Sequence, residues 1–447
     1  MNAKARAALS RRTLLGALGL TGVAAMSGCA GSFQQTAGTV PGKYAKRQHV
    51  VFWHSFGGTP LKVLTELVAK FNDSQSDIYV EAQFQGSYEM TMQKLATAIV
   101  AKQVPDICVL SEVTWRKIHL ADALEPYNDF FDGDVQPDQF MDQFIEEGTV
   151  QGKLWWIPFA RSTPIFYYNK TVFEKAGLSS DGPESWEQLQ EWAPAIMRQK
   201  TAAGHPKVLA LGSTYASWYF QSNVWTWGGH YSNGLDVKFD TKQLMDAGQW
   251  MVDFIRKHKA AYLSQKPDQD MGSGITACYL SSTGGLTQAG LNAKGGHYQV
   301  GTAFLPQHEG NFGCPTGGSG IGVLKYAEKS RKEAAWQFIK FLAQPKNSAH
   351  WTVGTGYLPV VKAAQQEPEL IKATKDKNYL TALRQLPKTQ PQDLIRLIVS
   401  SAGDTMDEQL TKLYSSNASV PDVFGRLDKK LGSLADLIRE TYDSHYK

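Results

Sequence analysis

The sequence predicts an α/β protein of two lobes, and three observations lead there. The first is length: 447 residues, at roughly 100–200 residues per domain, make two or three domains. The second is the alternation of periods between His49 and Leu110, which reads β-α-β-α-β and implies a parallel sheet with helices on its faces. The third is an extended stretch, Trp155 to Asn169, broken by Pro158 and Pro164. A long strand with prolines suits a passage from one lobe to the other.

Each element follows from its pattern. His49 to Phe56 is an apolar strand. Pro60 to Asn72 places Leu61, Leu64, Leu67, Val68 and Phe71 at helical spacing. Ile78 to Phe84 alternates, with Ile78, Val80, Ala82 and Phe84 on one side. Tyr88 to Ala101 is helical and Ile107 to Leu110 a short strand. Ligands of such sheets sit beyond the carboxyl ends of the strands, here His54-Ser55-Phe56, Gln85-Gly86-Ser87 and Ser111-Glu112. Further on come helices at 171–176 and 185–200, the second capped by Ser185. A strand at 208–212, an aromatic-rich helix at 215–227, a helix at 241–258 and strands at 298–305 and 321–324 follow. From Lys329 the chain is mainly helical.

Composition excludes several classes. Hydrophobic residues are 42% and charged residues 20%, ordinary globular usage that excludes collagen-like, mostly disordered and polytopic membrane chains. The net charge of +4 resides in the first 28 residues, which hold Lys4, Arg6, Arg11 and Arg12 and no acid. The remainder is neutral, which argues against a nucleic-acid partner. The 12 Trp suit a large core or a site that stacks on flat ligands.

The N-terminus reads as an address. A basic segment precedes the apolar run Thr13 to Met26, which is shorter than the ~17–25 residues that span a bilayer. This is an export signal. Arg11-Arg12 resembles a twin-arginine signal, without the usual Phe and Lys after the pair, so the general secretory route fits as well. Met26-Ser27-Gly28-Cys29 resembles a bacterial lipobox, with Cys29 the acylated first mature residue; the alternative is an ordinary cleaved signal. Residues 29–45 are small and polar, a tether. Cys108, Cys278 and Cys314 remain. They allow at most one disulfide, fit no zinc spacing, and suit buried small hydrophobes.

Catalytic motifs are missing from the sequence. It contains no GxxxxGK[ST], HExxH or GxSxG. Gly318-Ser319-Gly320-Ile321-Gly322 lacks the dinucleotide spacing, and the ten His are scattered. No cofactor or metal is indicated.

Several segments together resemble the solute-binding proteins of ABC importers, in the large sugar-type family that includes maltose-binding proteins. They are Phe52-Trp53-His54-Ser55, Pro105-Asp106-Ile107, Tyr167-Tyr168-Asn169-Lys170, Phe173-Glu174-Lys175-Ala176-Gly177-Leu178 and Ser185-Trp186-Glu187-Gln188-Leu189. Others are similar to a subgroup that binds glycerol 3-phosphate and glycerophosphodiesters. These are Ala160-Arg161-Ser162-Thr163-Pro164-Ile165-Phe166-Tyr167-Tyr168-Asn169-Lys170, Ser282-Thr283-Gly284, Cys314-Pro315-Thr316-Gly317-Gly318, Thr355-Gly356-Tyr357-Leu358-Pro359-Val360 and Gln392-Asp393-Leu394-Ile395-Arg396. The resemblance implies the two-lobe type II periplasmic binding protein fold, with ligand in the interlobe cleft and a helical C-terminal region. It implies a signal peptide over 1–28, one lobe over 46–157 plus about 303–347, and the other over about 158–302 plus about 348–447.

The resemblance also implies site residues, each with a chemical reason. Arg396 would fork onto phosphate oxygens; the alternative is a surface ion pair with an acid such as Asp393. Ser282 would add a hydroxyl, Gly318 a backbone N–H, and Tyr357 its phenol; the alternatives are a plain turn at Gly318 and a core tyrosine. Glu112 would accept from glycerol hydroxyls, unless it is a solvated loop charge. Tyr88 would bond the polyol or phosphate. Tyr215 and Trp218, three apart on one helical face, would pack on glycerol carbons or a choline-type head group, unless that face is core. Relatives often carry Trp or an aliphatic residue where Tyr215 stands, and this position would touch the variable end of the ligand.

The expectation is a lipid-anchored, monomeric, extracytoplasmic receptor, not an enzyme. It would bind glycerol 3-phosphate or a glycerophosphodiester such as glycerophosphocholine and present it to the permease subunits of an ABC importer. A sugar receptor of the same fold is the alternative, with no need of Arg396. A secreted glycosidase or phosphodiesterase would instead turn its ligand over.

Overall fold

The computed structural model describes residues 40–446. Arg11, Arg12, Cys29 and residues 29–39 of the tether lie outside the described residues. The chain runs β1 (Gln48–His54), α1 (Gly58–Ser74), β2 (Ile78–Phe84), α2 (Tyr88–Ala101), β3 (Ile107–Ser111), β4 (Leu124–Glu125), β5 (Ile157–Ser162) and β6 (Pro164–Asn169). It continues through α3 (Trp186–Met197), β7 (Lys207–Gly212), α4 (Ala216–Thr226), α5 (Lys242–Arg256), β8 (Ala261–Ser264), β9 (Thr276–Ser282), β10 (Val300–Ala303) and β11 (Gly317–Leu324). The C-terminal part is helical and includes α6 (Leu394–Ile398), α7 (Ala402–Ser415) and α8 (Val420–Tyr446).

Two sheets carry the fold. The first has the order β2-β1-β3-β11-β4, with β5 also on β11. Its strands β1, β2 and β3 are parallel, and β11 is antiparallel to β3. Val50 to His54 are all buried, which explains why β1 is a continuous apolar run rather than an alternating one. α1 buries Val63, Leu64, Leu67, Val68 and Phe71, and Ser87 caps α2 by accepting from Met90 N at 3.3 Å. Trp156 stacks on Trp115 with centroids 5.7 Å apart and donates to the Leu110 carbonyl, so the core is fixed by geometry as well as area.

The second sheet has the order β8-β7-β9-β6-β10, with β6 antiparallel to β9 and β10. Tyr167 of β6 stacks on Tyr279 of β9 at 4.9 Å and donates to the Ser282 carbonyl at 2.8 Å. α3 is capped by Ser185, as its sequence predicts. Strands β8 and β9 were not evident in sequence. β8 is only four residues long, and β9 reads Thr-Ala-Cys-Tyr-Leu-Ser-Ser, with no alternation because its middle is buried on both faces.

The chain divides into two compact units. The first reaches Phe159, takes up Ser319–Gln344 and resumes at Ile438; the second holds Ala160–Gly318 and Pro345–Leu437. The first passage falls within the proline-broken stretch. The second passage is at Gly318–Ser319 rather than near 303, because β10 (Val300–Ala303) pairs with β6 in the second sheet. The C-terminal end leaves the second unit as well. Tyr446 reaches His119 of the first unit, hydroxyl to Nδ1 at 3.2 Å. Cys108, Cys278 and Cys314 are buried free thiols, raised in pKa by that burial.

Two buried histidines give the fold a pH dependence. His54 is 1% exposed and its Nδ1 accepts from Phe56 N at 3.3 Å, a role that a protonated ring cannot fill. Burial pushes its pKa down to about 4. His119 is also pushed down to about 4, by burial and then by His445 and Arg116. Both folded values lie below the ordinary 6.5, so the unfolded chain binds more protons between about pH 6.5 and about 4. Stability is therefore lost as pH falls through that window and levels off below it, by at most about 3 kcal/mol per ring. Urea midpoints measured from neutral pH to about 4 should fall accordingly, and His54→Gln should flatten part of the slope.

Candidate functional site

In the second unit the site begins with a buried cation. Arg396 lies on α6 and is 3% exposed. Its Nη1 donates to Gln392 Oε1, one turn earlier. Its Nε is buried with no hydrogen-bond partner among the described residues, and no carboxylate forms an ion pair with it there. The pairing with Asp393 that the sequence left open does not form. Asp393 is already occupied, accepting from Tyr231 N at 2.6 Å, His230 Nδ1 at 2.9 Å and Trp225 Nε1 at 3.3 Å. His230 is raised in pKa by that bond, against the lowering effect of burial. Asp407 accepts from Ser217 N at 2.7 Å. Burial pushes its carboxyl up, and the Arg396 charge opposes the rise. A buried charge without a counter-charge is costly.

Other expected residues are tied to Arg396 through one carbonyl. Gln392 Nε2 donates to Thr316 O at 3.0 Å, and Trp218 Nε1 donates to the same oxygen at 3.0 Å. Trp218 is 5% exposed, so its indole N–H is spent inside the protein. Its ring lies so close to Gly317 that a Cβ there would be 2.2 Å from Cζ2. Gly318 follows with φ +91°, and a Cβ on it would stand 2.1 Å from the Ala160 carbonyl. Only glycine meets both conditions.

Ser282, at the end of β9, accepts from Gly284 N at 3.1 Å, which leaves its O–H able to donate. Tyr357 is half-buried and stacks on Trp351 at 5.7 Å. Its neighbour Leu358 donates from N to the Arg161 carbonyl at 2.8 Å. Tyr215 does not share a helical face with Trp218. It precedes α4 in a left-handed conformation, φ 58°, so the three-residue spacing does not apply. Such backbone in a non-glycine residue is uncommon and costs energy that the surroundings must impose.

Tyr88 and Glu112 belong to the first unit. Tyr88 opens α2 and donates to Ser319 Oγ at 3.1 Å. Glu112 directly follows β3 and is 9% exposed, so it is not a solvated loop charge. Sequence reasoning assigned no role to Gln392, Thr316 or Asp407. The i, i+4 spacing of Gln392 and Arg396 was the available signal; Asp407 had none. Among the described residues no group of three or more His, Cys, Asp or Glu could hold a metal, and no helix is long and apolar enough to cross a membrane.

Residues 66–379 match the model of the bacterial extracellular solute-binding proteins. The chain belongs to that family. Among its relatives is the sn-glycerol-3-phosphate-binding periplasmic protein UgpB of Pectobacterium atrosepticum, 27% identical over 338 residues, 71% of this chain and 74% of the relative. The Escherichia coli protein of the same name is 26% identical over 70% of this chain and 75% of its own. A crystal structure of UgpB from Mycobacterium tuberculosis in complex with glycerophosphocholine matches with TM-score 0.81 and 28% identity, over 87% of this chain and 98% of that one. The cyclic alpha-maltosyl-1,6-maltose binding protein of Arthrobacter globiformis shares the fold at TM-score 0.71 and 21% identity, over 87% of this chain and 99% of that one. The fold is thus the type II fold of periplasmic binding proteins, as the sequence resemblance implied.

In this solute-binding protein Gly318→Ala should cost about 1–3 kcal/mol of stability, from strain and overpacking together. Calorimetry would read the cost as a lower Tm. An unchanged Tm would show that the turn accepts a side chain.

Proposed function

We propose that this protein is the extracytoplasmic receptor of an ABC importer and captures glycerol 3-phosphate or a glycerophosphodiester such as glycerophosphocholine. The observation that carries the reading is Arg396, a buried guanidinium that among the described residues has no carboxylate in ion-pair contact and an unpartnered Nε. Its planar fork suits phosphate oxygens. The ligands named for two of the relatives, glycerol 3-phosphate and glycerophosphocholine, carry such a group. A neutral sugar offers no counter-charge to a buried guanidinium, and this disfavours the alternative that the sugar-binding fold neighbours otherwise support.

Roles follow. Arg396, the Ser282 hydroxyl, the Gly318 N–H and the Tyr357 phenol would hold phosphate. Tyr215 and the ring of Trp218 would meet the ligand's carbons. In the first unit, Tyr88 and Glu112 would bond polyol hydroxyls. The ligand is released unchanged to permease subunits, with no cofactor. Attachment through an acylated Cys29 after export, and action as a monomer, complete the proposal.

Titration calorimetry with glycerol 3-phosphate, glycerophosphocholine and maltose tests it, with the ligand re-analysed afterwards. Arg396→Ala should cost ~2–5 kcal/mol of binding to the phosphate ligands, about 30-fold or more in Kd. Arg396→Lys should recover only part, because a point charge lacks the fork. Unchanged affinity removes the clamp, heat from maltose alone moves the protein to the sugar receptors, and degraded ligand makes it an enzyme.

A further inference from the structure

The segment that carries Arg396 is stitched to the residues just before the glycines of β11. Thr316 N donates to the Gln390 carbonyl at 2.9 Å, and Gln390 N donates to the Cys314 carbonyl at 3.1 Å. Two residues on, Gln392 continues the seam with its side chain. Its Nε2 donates to the Thr316 carbonyl at 3.0 Å, and its Oε1 accepts from Arg396 Nη1. Trp218 Nε1 donates to the same carbonyl. Gln392 is 4% exposed and Thr316 1%, so these bonds form away from bulk water, where they are strengthened.

An amide suits this place for two reasons. A guanidinium only donates and a carbonyl only accepts, so a side chain between them must accept at one atom and donate at the other. Glutamine does both, and the two bonds together fix which end of the amide is oxygen. The second reason is charge. Glutamate has the same length and would bond Arg396 more strongly, but it would set an oxygen against the Thr316 carbonyl. It would also supply, inside the protein, the negative charge that the phosphate reading assigns to the ligand. Methionine fills similar space and makes neither bond.

We infer that Gln392 is a positioning residue for phosphate capture. It holds the Arg396 fork in register with residues 316–318, so that the guanidinium and the Gly318 N–H converge on one phosphate. As a neutral amide it also leaves the Arg396 charge for the ligand. The inference rests on the phosphate reading above and adds to it a residue that acts through Arg396 rather than on the ligand.

The test is calorimetric titration with glycerol 3-phosphate and glycerophosphocholine, with a melting curve of each protein taken without ligand. The proteins are the unaltered chain, Gln392→Met, Gln392→Glu, Arg396→Ala, and Gln392→Met combined with Arg396→Ala. Gln392→Met should weaken both ligands about tenfold, the scale of a lost bond to a charged group, and lower Tm. Gln392→Glu should weaken them about 30-fold or more, as Arg396→Ala does, yet lower Tm less than Gln392→Met. The tighter bond to Arg396 then goes with the poorer capture. With Arg396→Ala in place, Gln392→Met should change affinity by less than about twofold, because no fork is left to hold. A side chain that serves packing alone gives the opposite pattern: the near-isosteric Glu costs less affinity than Met, and Met costs the same with or without Arg396. That pattern, or unchanged affinity in both Gln392 variants, overturns the positioning role and leaves the Arg396 clamp standing. Should Gln392→Met not fold, Gln392→Glu decides alone, through a loss of affinity near that of Arg396→Ala or none. If Arg396→Ala itself leaves affinity unchanged, or the unaltered protein gives no heat, the phosphate reading falls and this inference falls with it.

Discussion

A guanidinium buried without a carboxylate is the constraint around which the second unit is arranged. Taking Arg396 out of water is expensive, and the neighbouring acids do not cancel it. Asp393 is engaged by Tyr231, His230 and Trp225, and Asp407 by Ser217. Asp407 acts on Arg396 by its field alone. An amide, Gln392, takes one donor and holds the fork in place. A direct ion pair would be more stable and would be inert.

The glycine-rich strand belongs to the same arrangement. Gly317 and Gly318 begin β11. The first lies under the Trp218 ring and the second against the Ala160 carbonyl. Thr316, just before them, accepts from both Trp218 and Gln392. A glycine-rich run without the dinucleotide spacing is thus a close-packed strand entry, where missing side chains let an indole, a carbonyl and a glutamine converge.

Much of this was legible in the sequence and some was not. The first sheet is written as apolar runs and helical periods, so β1, α1, β2, α2 and β3 could be read directly. Ser185 declared itself as a cap. β9 could not be read, because a strand buried on both faces loses its alternation, nor could β8, four residues long. The site residues were carried by family motifs rather than by pattern. Where spacing alone was used, it failed: Tyr215 and Trp218 are three apart, yet Tyr215 stands outside the helix in left-handed backbone. The lack of a carboxylate partner for Arg396 among the described residues depends on what surrounds Asp393 at residues 225–231, far away in sequence.

The path of the chain has a consequence for its synthesis. The first unit draws on Ser319–Gln344 and on the segment from Ile438 onward, with Tyr446 reaching His119. Domains made of one continuous segment can fold as they leave the ribosome, N-terminal part first. Here the N-terminal unit lacks strand β11 until residue 324 has been made, and it lacks its final helical turns until the segment from Ile438 onward has been made. The second unit is interrupted too, but its complete set of sheet strands emerges before residue 319. The unit begun first is therefore the one completed last, and loss of a few C-terminal residues would be felt hundreds of positions upstream.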